Sequence, residues 1–258
     1  MKENEVFGRY SDFYDLLYYD KDYKREADYV WSMMEKHLGK SPDTILSLGC
    51  GTCNHEVLLS DRVKQIVGIE RSEGMIIFAA DKIQRKGISN IKLIKGDIRN
   101  IDVQETFDCA MAMFNVIGYL TSDEDFDSML ESVACILRPG GLLVFDCWHG
   151  LAVIKDGPTK RQKEITFNDR QLRRYTVSQL DTKRDLVEIN FQIVEEAGKS
   201  PMVHCNETHV MRYRFLPQTN ETLLNKGFEI AGIYNFLDQT PGISDDRWDI
   251  FFVARKMA

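Results

Sequence analysis

Two hydrophobic patterns alternate along the first 150 residues of the chain. Short apolar runs are typical of buried strands, whereas apolar residues that recur every three or four positions are typical of amphipathic helices. The runs predict strands at residues 44–48, 65–69, 91–95, 107–113 and 142–147, and the longer period predicts helices at 23–37, 73–86 and 123–137. Ser72 and Ser122 stand at the N-cap positions of the last two helices, and residues 138–141 predict a turn after the third. Because strands that alternate with helices build a parallel sheet covered by helices, this part of the chain is predicted to be α/β.

The pattern changes after His149. Stretches at residues 172–180, 186–194 and 204–215 are rich in β-forming residues, and a polar turn at 181–185 separates the first two. They predict an antiparallel hairpin with a third strand. The end of the chain is predicted to contain a helix at residues 220–226 and a hairpin formed by strands at 228–236 and 248–255.

The composition is that of an ordinary globular protein, with 258 residues, 43% hydrophobic and 28% charged, and a net charge of -7. Lysine and arginine are dispersed among acids and form no basic stripe, so nucleic acid is not expected as a partner. The chain has no signal-peptide pattern and no run of about 18 apolar residues, which predicts a cytoplasmic protein without a membrane partner. Cys50 and Cys53 form a CxxC pair, but no second pair accompanies them, so no metal is expected.

A glycine-bearing turn, ILSLGCGTCNH, follows the first predicted strand. Gly49 and Gly51 let the backbone approach a ligand closely, and Glu70 stands 19 residues beyond Gly51 at the end of the next strand. An acid at that distance can accept hydrogen bonds from both hydroxyls of a ribose. Asp97 follows the third strand, and the carboxyl ends of adjacent parallel strands share one crevice. The sequence therefore predicts a ribose-containing ligand at these three loops.

Five ordered segments, LSLGCGT, VGIERS, KGDIRN, FDCAMAMFNVIGYL and LRPGGLLVFD, resemble the motifs of class I methyltransferases that use S-adenosylmethionine. The resemblance implies a Rossmann-like α/β fold, with a mainly parallel central sheet, a C-terminal antiparallel hairpin and an antiparallel β insertion. It also implies S-adenosylmethionine as the cofactor. The implied contacts are Gly49, Cys50 and Gly51 with the methionine part, Glu70 with the ribose, Arg71 and Met75 with the adenosine, Asp97 and Ile98 with the adenine edge, and Met113 below the sulfonium.

Two positions depart from the family pattern. Ser47 stands where the family usually has an aspartate or glutamate, and Cys53 stands where it usually has a third glycine. The missing acid removes a negative group near the amino end of the cofactor. The resemblance therefore implies weaker or differently arranged cofactor binding.

A narrower similarity covers nearly the whole chain. The segments SDFYDLLYYDKDYKREADY, MFNVIGYL, ETHVMRYRF and DDRWDIFFVARK look like those of N-methyltransferases that act on nucleotide-linked amino sugars and related small amines. This similarity implies N-methylation of an amino sugar or another small amine, with Tyr14 closing over the cofactor and Tyr119 facing the acceptor as catalytic positions. It also implies that Arg247 meets an anionic part of the substrate. The family has either tyrosine or histidine at the position of Tyr119, and tyrosine is the weaker base of the two at neutral pH.

His209 lies on an alternating strand and is a further candidate catalytic residue facing the acceptor. A histidine held by structural hydrogen bonds is the alternative interpretation.

The resemblance divides the chain into an N-terminal helical cap at 1–42, an S-adenosylmethionine-binding core at 43–150, an antiparallel insertion over the acceptor site at 151–216, and a C-terminal helix and hairpin at 217–258. The expected partner is a small-molecule acceptor, and a homodimer is left open. Three alternatives remain: O-methylation, a non-catalytic S-adenosylmethionine-binding module suggested by Ser47 and Cys53, and a nicotinamide dehydrogenase. The dehydrogenase is disfavoured because the third fingerprint glycine is absent.

Overall fold

Two β-sheets organise the protein in this computed structural model, which describes residues 6–167, 170–195 and 202–257. The strands are β1 (Thr44–Leu48), β2 (Gln65–Glu70), β3 (Ile91–Lys95), β4 (Phe107–Ala112), β5 (Leu137–Trp148), β6 (Arg161–Phe167), β7 (Arg170–Asp181), β8 (Leu186–Glu195), β9 (Met202–Arg212), β10 (Phe228–Asn235) and β11 (Asp249–Lys256).

The central sheet has seven strands in the described ranges, in the order β10-β11-β5-β4-β1-β2-β3. The five strands from β5 to β3 run parallel, while β11 pairs antiparallel with both β5 and β10. The carboxyl ends of the parallel strands therefore meet at one edge of the sheet. This arrangement is the predicted mainly parallel sheet completed by a C-terminal antiparallel hairpin.

Helices cover both faces of the central sheet. They are α1 (Ser11–Leu17), α2 (Tyr23–Leu38), α3 (Asn54–Leu59), α4 (Glu73–Arg85), α5 (Asp123–Ile136), α6 (Gly150–Asp156) and α7 (Leu216–Asn225). As the sequence predicts, α4 and α5 begin at serine caps, because the hydroxyls of Ser72 and Ser122 accept from the backbone N–H groups of Met75 and Asp125. Within the described residues, no helix has the length and apolar content needed to cross a membrane.

The core consists of two large hydrophobic clusters, one on each face of the sheet. Adjacent residues of a strand point to opposite faces, so Phe251 packs with the α2 side chains of Val30 and Met33, while Phe252 packs with the α5 side chains of Phe126 and Leu130. Burying both faces suits a parallel sheet, whose strands are apolar throughout.

The second sheet is antiparallel, in the order β6-β7-β8-β9. Its residues Ile165, Leu172 and Ile193 form a buried cluster with Tyr10 and Leu17 from the N-terminal segment. The sheet is therefore packed against α1 as well as joined to the core, and it stands over the edge where the parallel strands end.

Four of the named elements lie outside the predicted ranges: α1, α3, α6 and β6. β6 has the sequence RQKEITF, whose first four residues are polar, so it lacks the apolar alternation typical of a half-buried strand. The predicted turn at residues 138–141 lies inside β5, between Leu137, which pairs with Phe107, and Leu142, which pairs with Cys109. An irregularity between Phe107 and Cys109 accommodates the glycines, with Gly140 at φ +77°, as in a β-bulge.

The domain boundaries stay predictions. The second sheet and all of α6 except its first residue lie within the predicted insertion at 151–216, and α1 and α2 lie within the predicted cap at 1–42. Parts of the predicted segments, residues 1–5, 168–169, 196–201 and 258, lie outside the described residues.

Candidate active site

A cavity of about 490 Å³ lies between the carboxyl ends of the parallel strands and the antiparallel sheet. This volume is in the range of small-molecule sites, roughly 300–1,000 Å³. The cavity brings together all the sequence-predicted site residues except Arg247: Tyr14, Gly49, Cys50, Gly51, Glu70, Arg71, Met75, Asp97, Ile98, Met113, Tyr119 and His209. Their individual roles stay predictions.

The turn after β1 forms the floor of the cavity. Gly49 has φ +63°, and a Cβ atom there would lie 2.7 Å from Cγ1 of Val116, so only glycine fits. Gly51 has φ +55° and faces open space, with no atom within 4 Å of the point that a Cβ would occupy. Cys53 also adopts the left-handed conformation, with φ 61°. This left-handed backbone explains why the family usually has a third glycine at the position. In this chain, Cys53 adopts the same conformation under strain.

Glu70 is the buried carboxylate at the end of β2. Its Oε2 accepts from the backbone N–H of Gly51 at 3.0 Å, and its Oε1 accepts from the N–H of Ser72 at 2.7 Å. Burial raises the pKa of Glu70, while the hydrogen bonds from Ser72 and Gly51 oppose that rise. The side chain is thus fixed between the glycine turn and the start of α4, with both loops aligned on the cavity.

Asp97 follows β3 and is already engaged by a cation. Its Oδ1 accepts from the backbone N–H and Nε of Arg99, each at 3.0 Å, and its Oδ2 accepts from Nη2 of Arg99 at 2.6 Å. Arg99 also donates to Oδ1 of Asp125 at 2.7 Å. The hydrogen bond from Arg99 holds the pKa of Asp97 below its usual range. Asp97 therefore presents a carboxylate whose charge is largely neutralised.

Tyr119 and His209 are hydrogen-bonded to each other, although 90 residues separate them. The Tyr119 hydroxyl lies 2.8 Å from Nδ1 of His209, and Nε2 of His209 lies 3.3 Å from Oε2 of Glu207. Burial raises the pKa of Tyr119 well above its ordinary value, so its proton stays on the hydroxyl. The hydroxyl then donates to Nδ1, and the Nε2–H tautomer of His209 donates to Glu207.

Glu207 also anchors the N-terminal segment over the cavity. Its two oxygens accept from the backbone N–H groups of Phe7, at 3.0 Å, and Tyr10, at 2.8 Å. On the other side, the Ser72 hydroxyl donates to the Phe7 carbonyl at 2.9 Å. Tyr14 follows on α1 and lines the same cavity, and burial raises its pKa. The segment thus spans from α4 to β9 and closes one side of the site.

Asn115 and Asp146 lie where β4 and β5 end, and sequence reasoning missed both. Asn115 has φ 56°, and its backbone N–H donates to both carboxylate oxygens of Asp146 at 3.0 Å. Burial raises the pKa of Asp146 to about 8, despite that hydrogen bond. The Asn115 amide is buried and has no hydrogen-bond partner among the described residues. The nitrogen and oxygen of the Asn115 amide can therefore form hydrogen bonds with a ligand at the cavity wall.

The charged residues at the outer part of the cavity also differ from the prediction. Arg247 is exposed in the turn before β11 and does not line the cavity, whereas Arg161 of β6 and Arg174 of β7 do. Arg174 donates to the hydroxyls of Tyr10 at 2.9 Å and Tyr18 at 3.2 Å. A basic residue on a polar strand carries no sequence signal of such a position, so these arginines could not have been selected.

Glu56 and Asp146 did carry a signal. Each acid adjoins an apolar run, VLL after Glu56 in α3 and LLVF before Asp146 in β5. Such acids are almost never fully buried without a reason. Both are indeed buried, with 2% of Glu56 and 3% of Asp146 exposed, and both line the cavity.

The chain is similar to known methyltransferases. Residues 45–141 match the family model described as a methyltransferase domain. The chain is 26% identical over 204 residues to the dTDP-3-amino-3,4,6-trideoxy-alpha-D-glucopyranose N,N-dimethyltransferase of Streptomyces venezuelae. This match covers 78% of this chain and 82% of that protein.

Two solved structures have the same fold. An S-adenosylmethionine-dependent methyltransferase from Clostridium acetobutylicum superposes with a TM-score of 0.82 at 19% identity, over 97% of this chain and 98% of that one. CalS10, an amino pentose methyltransferase from Micromonospora echinaspora solved with bound SAM, gives a TM-score of 0.74 at 19% identity, over 100% of both chains. The predicted class I methyltransferase fold is confirmed, and residues 45–141 match a methyltransferase domain.

Proposed function

We propose that the protein transfers a methyl group from S-adenosylmethionine to the amino nitrogen of an amino sugar, with a nucleotide-linked amino sugar as the acceptor. The observation that carries this proposal is the chain of hydrogen bonds from Tyr119 through His209 to Glu207, which opens on the same cavity as the cofactor loops. The similar enzyme of Streptomyces venezuelae dimethylates an amino sugar carried by dTDP, which supports this acceptor class.

The residues at the inner end of the cavity fit the cofactor. Gly51 leaves open space where a side chain would stand, Glu70 offers a carboxylate beside it, and Oε2 of Glu56 is buried without a hydrogen-bond partner among the described residues. Open backbone suits close approach of a ligand, and carboxylates suit ribose hydroxyls and cationic groups. When bound, S-adenosylmethionine supplies a methyl group on a positively charged sulfur.

The chain's own residues have two tasks, to orient the acceptor and to receive a proton. Methyl transfer forms a nitrogen–carbon bond as the sulfur–carbon bond breaks, so alignment of the amine within about 3–3.5 Å of the methyl carbon contributes most of the rate. An acceptor amine must be neutral to react. The Tyr119 hydroxyl donates its hydrogen bond to His209. The lone pairs of the Tyr119 oxygen can therefore accept a hydrogen bond from that amine.

The proton released by the methylated amine needs a path. Tyr119 can take that proton while passing its own to Nδ1 of His209, and the carboxylate of Glu207 stabilises the resulting imidazolium. This three-residue relay removes the need for tyrosine itself to become a strong base, because the proton ends on histidine. After the product leaves, the proton on Nδ1 returns through Tyr119 to water in the cavity, which restores the phenol and the neutral imidazole.

The outer cavity suits an acceptor that carries negative charge. Arg161 lines the cavity, and its Nε donates to the Thr159 hydroxyl at 3.3 Å. Among the described residues, the two terminal nitrogens of its guanidinium have no hydrogen-bond partner, so they can bind a ligand. Guanidinium groups bind phosphate oxygens through paired hydrogen bonds. The cavity therefore offers an arginine for anion recognition, as a nucleotide-linked sugar requires.

The test is a product assay with S-adenosylmethionine and a set of nucleotide-linked amino sugars. We expect each transferred methyl to be located on nitrogen by fragmentation in mass spectrometry, and the matching hydroxy sugar to remain unmethylated. Methylation on oxygen would replace this proposal with an O-methyltransferase. Binding of S-adenosylmethionine without transfer to any amine would refute N-methylation of this acceptor class.

A further inference from the structure

A carboxylate from another element lies beside Ser47, the position at which the family acid is missing. Ser47 lies near the end of β1, with 3% of its surface exposed, and its hydroxyl donates to Oε1 of Glu56 at 2.5 Å. Glu56 comes from the first turn of α3, nine residues further along the chain. The helix therefore brings a carboxylate to the site from which the strand's own acid is missing.

The second oxygen of Glu56 is available to a ligand. Oε2 is buried and has no hydrogen-bond partner among the described residues, and Glu56 lines the cavity together with Gly49 and Gly51. The neighbouring His55 is already paired, with its Nε2 2.9 Å from Glu26. In the described ranges, no lysine, arginine or histidine forms an ion pair with Glu56, so its charge faces the cavity uncompensated.

An uncompensated buried carboxylate is costly unless a cation or hydrogen-bond donors complete it. Burial of Glu56 against a single hydroxyl is therefore explained best by a positively charged group of the ligand. The cofactor carries two such groups, the α-ammonium group of its methionine part and the sulfonium. Glu56 occupies the place of the family acid, ahead of the glycine turn, where the ammonium end is expected.

We propose that Glu56 binds the α-ammonium group of S-adenosylmethionine and so replaces, from α3, the acid that is absent at Ser47. Ser47 orients the carboxylate through Oε1 and leaves Oε2 to the ligand. This inference rests on the use of S-adenosylmethionine and not on the identity of the acceptor, so a failed acceptor assay leaves it standing.

Calorimetric titration of three ligands tests the proposal. S-adenosylmethionine has both cations, S-adenosylhomocysteine keeps the ammonium but has a neutral sulfur, and methylthioadenosine lacks the amino acid end. Glu56→Gln keeps the shape and the Ser47 hydrogen bond but removes the charge. We expect it to weaken binding of the first two ligands by about 10–100-fold, the range of charge-assisted hydrogen bonds, and methylthioadenosine by less than about twofold.

A double variant supplies the matched control. Ser47→Asp combined with Glu56→Gln returns the acid to the end of β1, and we expect it to recover most of the lost affinity for S-adenosylhomocysteine. The proposal is overturned if Glu56→Gln leaves all three affinities unchanged, weakens only S-adenosylmethionine, which would assign the contact to the sulfonium, or weakens all three equally. A double variant that binds no better than Glu56→Gln would also overturn it.

The wild-type protein provides a test that needs no variant. A derivative of S-adenosylhomocysteine in which hydrogen replaces the α-amino group should bind about 10-fold or more weakly than S-adenosylhomocysteine itself. Equal affinities would mean that no carboxylate in the cavity recognises the ammonium, and the proposal would be wrong.

Discussion

The two sides of the cavity are built in different ways. The cofactor side consists of loops that follow consecutive parallel strands, and each of its key groups lies within a short motif, as Glu70 does in VGIERS. The acceptor side depends on contacts between distant parts of the chain, such as Tyr119 with His209, 90 residues apart, and Phe7 with Glu207, 200 residues apart. One side is therefore specified locally and the other by tertiary packing.

This difference separates the expected functions of the two sides. The cofactor side holds fixed carboxylates and glycines at positive φ that suit binding, whereas the acceptor side holds a buried hydrogen-bond relay that suits proton movement. If the division is real, substitutions on one side change cofactor affinity and substitutions on the other change turnover. Each of the following predictions tests one part of it.

The largest effect is expected at Tyr119. Tyr119→Phe removes the hydroxyl that links the acceptor to His209 and should lower kcat by about 100-fold, at the low end of acid–base contributions. Affinity for S-adenosylmethionine should stay within about twofold, because the phenyl ring keeps the wall intact. Steady-state kinetics at saturating cofactor and calorimetric titration measure the two quantities separately.

Tyr29→Phe is the matched control for that substitution. The Tyr29 hydroxyl donates to the backbone carbonyl of Asp238 at 3.0 Å, and Tyr29 packs in the core and does not line the cavity. Loss of this hydrogen bond should cost about 1 kcal/mol of unfolding free energy and leave kcat unchanged. A kcat of the Tyr119 variant equal to that of the wild type would show that the relay has no catalytic role.

The next largest effect is expected at Glu70, on the cofactor side. Glu70→Ala should weaken S-adenosylmethionine by about 2 kcal/mol, within the range of about 1–3 for charge-assisted hydrogen bonds, because it also frees the N–H groups of Gly51 and Ser72. Asp97→Ala should cost less, since Asp97 is already paired with Arg99. Titration calorimetry measures both, and an unchanged affinity for Glu70→Ala would contradict its assignment to the ribose.

The comparison also explains what the sequence could predict. The parallel strands, the serine caps and the glycine turn depend on neighbours in the chain, so periodicity and motifs were sufficient for them. The pairing of Tyr119 with His209 depends on how β9 packs on the loop after β4, and no local pattern encodes that distance. Glu56 replaces a missing acid only because α3 folds back on β1, which required the structure.

A smaller effect is expected at Asp146, on the border between the two sides. Burial raises the pKa of Asp146 to about 8, whereas an aspartate in the unfolded chain has a pKa near 4. Between about pH 4 and about pH 8, the native state therefore holds a proton that the unfolded chain has released. Stability should therefore fall as pH rises through this window. Asp146→Asn removes the titration and keeps an acceptor for the Asn115 N–H.

The variant should therefore gain stability relative to the wild type as pH rises, by roughly 1 kcal/mol per pH unit between about pH 6 and about pH 7. Urea unfolding of both proteins at the two pH values gives this difference directly, and groups common to both cancel. A constant difference between the variant and the wild type would mean that Asp146 is ionised throughout, in contact with water.

The smallest effect is expected at the outer arginines, where the sequence and the structure point to different residues. Arg161 lines the cavity, while the predicted Arg247 is exposed in the turn before β11 and does not line it. For a nucleotide-linked amino sugar, Arg161→Ala should raise KM by about threefold to tenfold, as expected for one partly solvated ion pair, and Arg247→Ala should change it by less than about twofold. The same amino sugar without its nucleotide should not distinguish Arg161→Ala from the wild type, because the anionic group is then missing. If Arg247→Ala raises KM more than Arg161→Ala does, the substrate's negative end approaches over the turn before β11, and the outer cavity is not the anion site.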